Sequence, residues 1–168
     1  MGTHSNRNLP ALWHWALALY ARPGVSDALL QLQDEAGLDV CELLWGLWLL
    51  AHGRAPRPGI EVLLAPVRQW QQHYTQPLRQ LRHDLKVQTA NQPELEPMRT
   101  HIKQAELQSE RETLRRLEAL GVSASVPCPA SFASDALSET LTGTLKPCHQ
   151  RLISLVRLES ENMAPPSC

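Results

Sequence analysis

Most of the features that disclose a function at a glance are missing from this chain. Its four cysteines, Cys41, Cys128, Cys148 and Cys168, are scattered and form no C-x-x-C pair, which excludes a zinc knuckle and a small disulfide scaffold. Cys148 precedes His149, but adjacent residues on a helix diverge by ~100° and do not face each other, so they are not read as a nucleophile with its base. Cys41 falls on an apolar helix and reads as a buried thiol. A surplus of one charge is missing too: 16 Lys and Arg stand against 17 Asp and Glu. There is no global field to draw in nucleic acid or an anionic membrane.

Long hydrophobic runs are also lacking. "ALWHWALALYA" and "VCELLWGLWLLA" are the longest, each about a dozen residues against the ~20 needed to span a bilayer. The opening "MGTHSNRNLP" is polar. It lacks the apolar core of a signal peptide and has no serine or threonine at position 6 for myristoylation. No E-x-x-H pair occurs, so the ligand set of helical di-iron sites is absent. These absences lead to the expectation of a cytoplasmic protein with no membrane association, no metal and no cofactor.

What remains is enough to build a fold. At 168 residues, 43% hydrophobic and 20% charged, the chain suits one ordered domain with a real core. Helix signals dominate and no convincing strand is found. "NLPALWHWALALYARPG" has Asn8 placed to cap and Pro10 near the first turn, and it stops at Pro23-Gly24. Apart from His14 it is apolar all round, which predicts a buried helix. "VSDALLQLQDEAG" follows with Ser26 as N-cap and Gly37 as a left-handed stop. "DVCELLWGLWLLAHG" is the third helix, and "RAPRPG" after it is a loop. Pro66 kinks or starts the next helix. Thr75 and Pro77 then begin the Pro77–Gln88 helix, and the longest helix runs roughly from Glu96 to Leu120, closed by Gly121. "VSASVPCPAS" reads as an irregular connector, followed by "SDALSETL" capped by Ser134 and a last helix starting near Pro147.

The expected fold is therefore all-α: a single-domain bundle of about six to eight helices around a Trp/Leu-rich central pair. The domain spans 8–160, with C-terminal helices over 131–160 and flexible termini at 1–7 and 161–168. Trp13, Trp15, Trp45 and Trp48 lie on the two most apolar helices. Core packing is their first explanation, and each indole N–H needs an acceptor. A groove lined by Trp13 and Tyr20, seven residues apart on one face, is the alternative.

The stretch "LQDEAGLDVCELLW" packs four carboxylates together. Asp39 and Glu42 form an acidic capping box for the third helix, a structural role, with Leu38 and Leu43 as its hydrophobic staple. Asp34 and Glu35 sit in a last helical turn, where the dipole disfavours acids. Glu35 is expected to be solvated, and Asp34 to meet a cation at the edge of the packed face. Gly37 and the capping corner keep Asp34 and Asp39 off one helical face, so a carboxylate metal site is not expected.

The cations follow a pattern. In "PLRQLRHDLK", Leu78, Leu81 and Leu85 form one stripe, and Arg79, Arg82 and Lys86 border it. On the long helix Arg99, Lys103, Glu106 and Glu110 fall between two apolar stripes, one of Met98, Ile102, Ala105 and Ser109 and one of Leu107, Leu114 and Leu117. Charges so flanked are half buried and need partners. Two readings stand. One is internal pairing, of Lys103 with Glu106 or Glu110 and of Arg79 or Arg82 across to the long helix. The other is a polar cleft that binds an acidic segment of a partner or an anionic ligand.

The segment "LWHWALALYARPGVSDALLQLQDEAGLDVCELLWGLWLL" resembles the opening of a proteobacterial family of uncharacterised proteins. That family's pattern is Y-x-x-P-G-V followed by L-Q-D-x-x-G-x-D-V. "QPLRQLRHDLK" and "IKQAELQSERETLRRLEAL" are similar to its later segments, so the likeness covers about residues 12–120. Cys41 stands where that family has Asn. The resemblance implies that Asp34, Asp39, Arg79, Arg82, Lys86, Glu106 and Glu110 belong to the family's pattern, and it brings no activity with it. The functional expectation is a non-enzymatic adaptor or regulatory module that binds another protein through the charged groove, with no catalytic residues. The alternative is an anion-binding protein or an enzyme, in which Arg79 and Arg82 grip the ligand and Glu106 or Glu110 is the base. A nucleic-acid partner is disfavoured, since the basic stripe is short and only Trp70 and Tyr74 are nearby aromatics.

Overall fold

The computed structural model describes residues 11–128 and 146–163. Over these residues the chain is an all-α helical bundle. Seven α-helices are described: α1 Leu12–Tyr20, α2 Val25–Ala36, α3 Val40–Ala51, α4 Glu61–Trp70, α5 Gln76–Thr89, α6 Glu96–Leu120 and α7 Pro147–Glu161. No described helix is long and apolar enough to cross a membrane. The helices divide between two compact units, one drawn from residues 1–58 and 121–168, the other from Gly59–Leu120.

In the first unit α3 is the core. Ten of its twelve residues are buried, Trp45 and Trp48 among them, so it is enclosed on all sides as its unbroken apolar sequence requires. Each of its buried leucines contributes roughly 1.5–3 kcal/mol of transfer free energy. The corner before it is built as its chemistry dictates: Asp39 is the N-cap, and its Oδ1 accepts the Glu42 backbone N–H at 2.9 Å. Trp45 departs from expectation, because its indole N–H finds no acceptor among the described residues.

The other central helix is less enclosed than its sequence suggests. Helix α1 buries Leu12, Trp15, Ala16 and Leu19, while Leu17 is exposed and Trp13 and Tyr20 are half-buried. An apolar composition sets which faces can be buried, and the number of packed neighbours sets which are. The expected Asn8 cap lies outside the described residues. Helix α2 starts two residues earlier than a Ser26 cap would place it: Gly24, at φ 76°, is its N-cap, and Ser26 stands inside the first turn. Gly37, at φ 65°, ends it in the left-handed conformation expected. Helix α7 packs on α2 and α3, and Arg22 Nε donates to Glu159 at 2.6 Å.

A two-stranded antiparallel ribbon was not expected. Strand β1, Arg54–Pro56, pairs with β2, Ser125–Pro127, with Ala55 opposite Val126. Arg54 locks the pair by donating from Nε to Ser125 Oγ at 2.7 Å and from Nη2 to the Ser125 carbonyl at 2.9 Å. Three-residue strands containing proline have neither the length nor the alternation that marks a strand in sequence. The helix expected over "SDALSETL" with its Ser134 cap lies outside the described residues.

The second unit is α4, α5 and α6. Of the two alternatives at Pro66, a helix start is ruled out: α4 runs through Pro66, which is exposed. The chain then stays helical through a π-turn, Gln71–Thr75, directly into α5. A bend of this kind is how a helix accommodates a downstream proline. Pro77 offers no N–H and would crowd the carbonyl four residues back. The wider turn just before it, in which Gln76 N–H donates to the Gln71 carbonyl, relieves both problems. Helix α6 has the bounds its sequence predicts.

Candidate functional site

The seam between α5 and α6 is polar, which is unusual for the interior of a helix pair. Helix α6 buries Glu106, Ser109 and Thr113 alongside Leu114 and Leu117. From the facing chain come Gln71 and Thr75 of the π-turn, both buried. At one end of the seam neutral groups satisfy each other. Thr75 Oγ1 lies 2.7 Å from Ser109 Oγ, Thr113 Oγ1 donates to the Ser109 carbonyl at 3.0 Å, and the Trp70 indole N–H reaches that same carbonyl at 3.3 Å. The Arg116 guanidinium stacks 4.2 Å from the Trp70 ring centroid.

At the other end the groups are charged. Arg79 and Arg82 stand one turn apart on α5 and converge on Glu106. Arg79 Nε donates to Glu106 Oε1 at 3.2 Å. Arg82 grips the same carboxylate with two nitrogens, Nε on Oε2 and Nη2 on Oε1, the latter at 3.2 Å. Arg79 Nη2 also donates to Glu110 Oε1 at 2.8 Å. The carboxylates are unequal: the Glu106 side chain is 7% exposed and the Glu110 side chain 29%. Two guanidiniums and two carboxylates balance in charge, and each Arg82–Glu106 contact is the fork geometry that makes such pairs strong.

Burial and pairing pull in opposite directions here. Burial pushes the Glu110 carboxyl above its usual range, further than the Arg79 hydrogen bond pulls it down. Burial also works against the Arg79 charge, but hydrogen bonds and attraction from Glu110 and Glu106 outweigh it and raise that pKa. For Arg82 the Glu106 hydrogen bond is the main cause, and it raises the pKa. At the exposed far end of α6, hydrogen bonds from Arg115 and then Arg116 outweigh burial and hold Glu112 down to about 2.

The structure thus brings together Arg79, Arg82, Glu106 and Glu110 and leaves other expected members out. Lys103 pairs with neither Glu106 nor Glu110; like Lys86 it is exposed and has no ion-pair partner among the described residues. The arginines' longer fork reaches the carboxylates from the facing helix. Asp34 is exposed on α2 and meets no described cation, whereas Glu35, expected to be solvated, stands 3.5 Å from the buried Nε2 of His149 on α7. Both carboxylates are exposed, and the packing of α7 on α2 brings a histidine to Glu35 and no described cation to Asp34. Trp13 and Tyr20 are half-buried on α1, and Asp39 and Glu42 form the α3 cap. Thr75, Gln71 and Thr113 are seam residues that the sequence reading missed. The i, i+4 pairing of Ser109 with Thr113 is the signal that could have found one of them.

Both oxygens of Glu106 are taken by guanidinium donors, an arrangement suited to holding two helices in register rather than accepting a proton. No group of three His, Cys, Asp or Glu side chains that could hold a metal ion occurs among the described residues. Residues 11–117 match the family described as Protein of unknown function (DUF2390), a span that contains the whole charged seam. No curated protein and no solved structure matches the chain.

Proposed function

We propose that this chain, which belongs to the DUF2390 family of proteins of unknown function, is a cytoplasmic, non-enzymatic helical adaptor that binds another protein along the outer edge of the α5–α6 pair. The observation that carries the reading is a strip beside the ion-pair seam. On α6, Lys103, Leu107 and Glu110 follow one another at helical spacing. Leu107 is 48% exposed, and Lys103 is exposed with no described ion-pair partner. Lys86 of α5 is another exposed cation of the same unit. An apolar anchor preceded on its own helix by an uncommitted lysine, in a unit with a second exposed lysine, suits a partner surface with an apolar contact and acidic flanks, in which charge sets orientation and association rate.

The test must leave the internal network intact. Reversing Arg79 and Arg82 to glutamate would gather four carboxylates in one seam and unfold the pair, whatever its function. The informative variant is Lys86→Glu/Lys103→Glu, since both side chains are exposed. Wild type and variant are compared as tagged baits in native lysate after circular dichroism shows both folded, and captured proteins are identified by mass spectrometry and rebound in purified form. A partner that binds wild type and is lost in the variant is the expected result. Equal capture by both would place the contact elsewhere, and capture by neither would end the adaptor reading in favour of a screen for small-molecule ligands.

A further inference from the structure

We propose that Glu110 is a built-in competitor for the partner: an acidic segment of the partner takes the place of Glu110 on Arg79. The inference rests on the adaptor reading and names the chemistry of the partner and the internal contact that regulates its binding.

The geometry separates the two carboxylates by task. Glu106 is buried and receives donors from both arginines on both of its oxygens, so it is a permanent anchor. Glu110 is four times as exposed, 29% against 7%, and is held through one contact from Arg79 Nη2. A carboxylate 29% exposed and held by a single hydrogen bond returns to water more readily than the doubly gripped Glu106. Its release frees the Nη2 edge of Arg79 while Nε stays on Glu106. No hydrogen bond from Nη1 of either arginine is made among the described residues, so the vacated Arg79 would present Nη1 and Nη2 together, the edge that takes a carboxylate in two parallel hydrogen bonds.

The charge balance points to the same exchange. With Glu110 displaced, the seam holds two guanidiniums against one carboxylate, an excess that an incoming acid neutralises. Burial already disfavours the charged form of Glu110. The ligand chemistry is a carboxylate because a carboxylate occupies the position now. Lys103, seven residues before Glu110 on the same face of α6, extends the basic track beyond a single contact and favours a run of acidic residues over a lone anion.

The experiment uses the full chain and a fluorescein-labelled hexaglutamate peptide, read by fluorescence anisotropy at low salt and pH 7.5. Glu110→Gln should bind roughly five- to tenfold tighter than wild type, the scale of removing one charge-assisted internal competitor. Glu94→Gln removes the same charge from an exposed site of the same unit and should change affinity by less than about twofold. Arg79→Gln should abolish binding. Arg79→Lys keeps the charge and the folded seam but loses the fork, and should weaken binding several-fold. The proposal is overturned if Glu110→Gln gains no more than Glu94→Gln, if Arg79→Lys binds as wild type does, or if no variant binds the peptide. Should it fail while partner capture still depends on Lys86 and Lys103, the adaptor reading stands without the competitor.

Discussion

Glu106 is the buried carboxylate at the centre of the charged seam. It is the one carboxylate on which both arginines close, so removing it strands two half-buried cations. Glu106→Ala should cost about 3–5 kcal/mol, seen as a lower urea midpoint, with Glu106→Gln in between. Glu110 behaves oppositely with pH. Its folded-state pKa is raised by burial, so above the ordinary carboxylate range the folded chain binds more protons than the unfolded one. Stability must fall as pH rises through that window. Wild type should therefore lose stability relative to Glu110→Gln between about pH 4.5 and the raised value, a slope that chemical denaturation at several pH values can read. Asp39→Ala removes the acceptor of the Glu42 N–H and should cost ~1 kcal/mol. Asp39 was legible because capping is local chemistry. The pairing of Glu35 with His149 was not, because it depends on a helix more than a hundred residues away.

At the scale of elements, the ends were legible and the breaks were not. Gly37 stops α2 in the left-handed conformation and α6 ends at Leu120, just before Gly121, where their sequence says, since helix ends are local decisions. Pro66 is expected to kink or start a helix and Pro77 to begin one, yet the chain is helical across both. The first costs only a lost hydrogen bond at an exposed position, and the second is absorbed by the π-turn. Pro66→Ala should therefore stabilise the protein by about 1–3 kcal/mol, measured by denaturant midpoint, because α4 already has the conformation alanine prefers. A true break at Pro66 would show no gain. The π-turn also shapes the seam. It delivers Thr75 to Ser109 and, one turn on, sets Arg79 and Arg82 against α6.

At the scale of the molecule, one unit is a continuous stretch of chain and the other is assembled from two separated pieces. The pieces are joined by the β1–β2 ribbon and by α7 lying on α2 and α3. A chain ended after Leu120 would lose β2 and α7 and uncover apolar surface on α2 and α3. It should bind the dye ANS strongly at neutral pH, where the full chain does not. If the truncated chain binds no dye, α7 is dispensable to that core.

The sequence by itself determined the helical class, the buried α3, the capping corner at Asp39, the span of α6 and a set of flanked charges wider than the four that meet in the seam. All of these follow from periodicity, end chemistry and the rule that flanked charges seek partners, which act within a few turns of chain. Only the tertiary structure decided which cations those partners would be. Arg79 and Arg82 reach Glu106 and Glu110 from the facing helix, and Lys86 and Lys103 are left in water. It also decided that α1 is covered on one face and that Asp34 stays solvated while Glu35 meets His149. These outcomes turn on which distant elements come to lie alongside, and a residue's near neighbours in sequence carry no record of that.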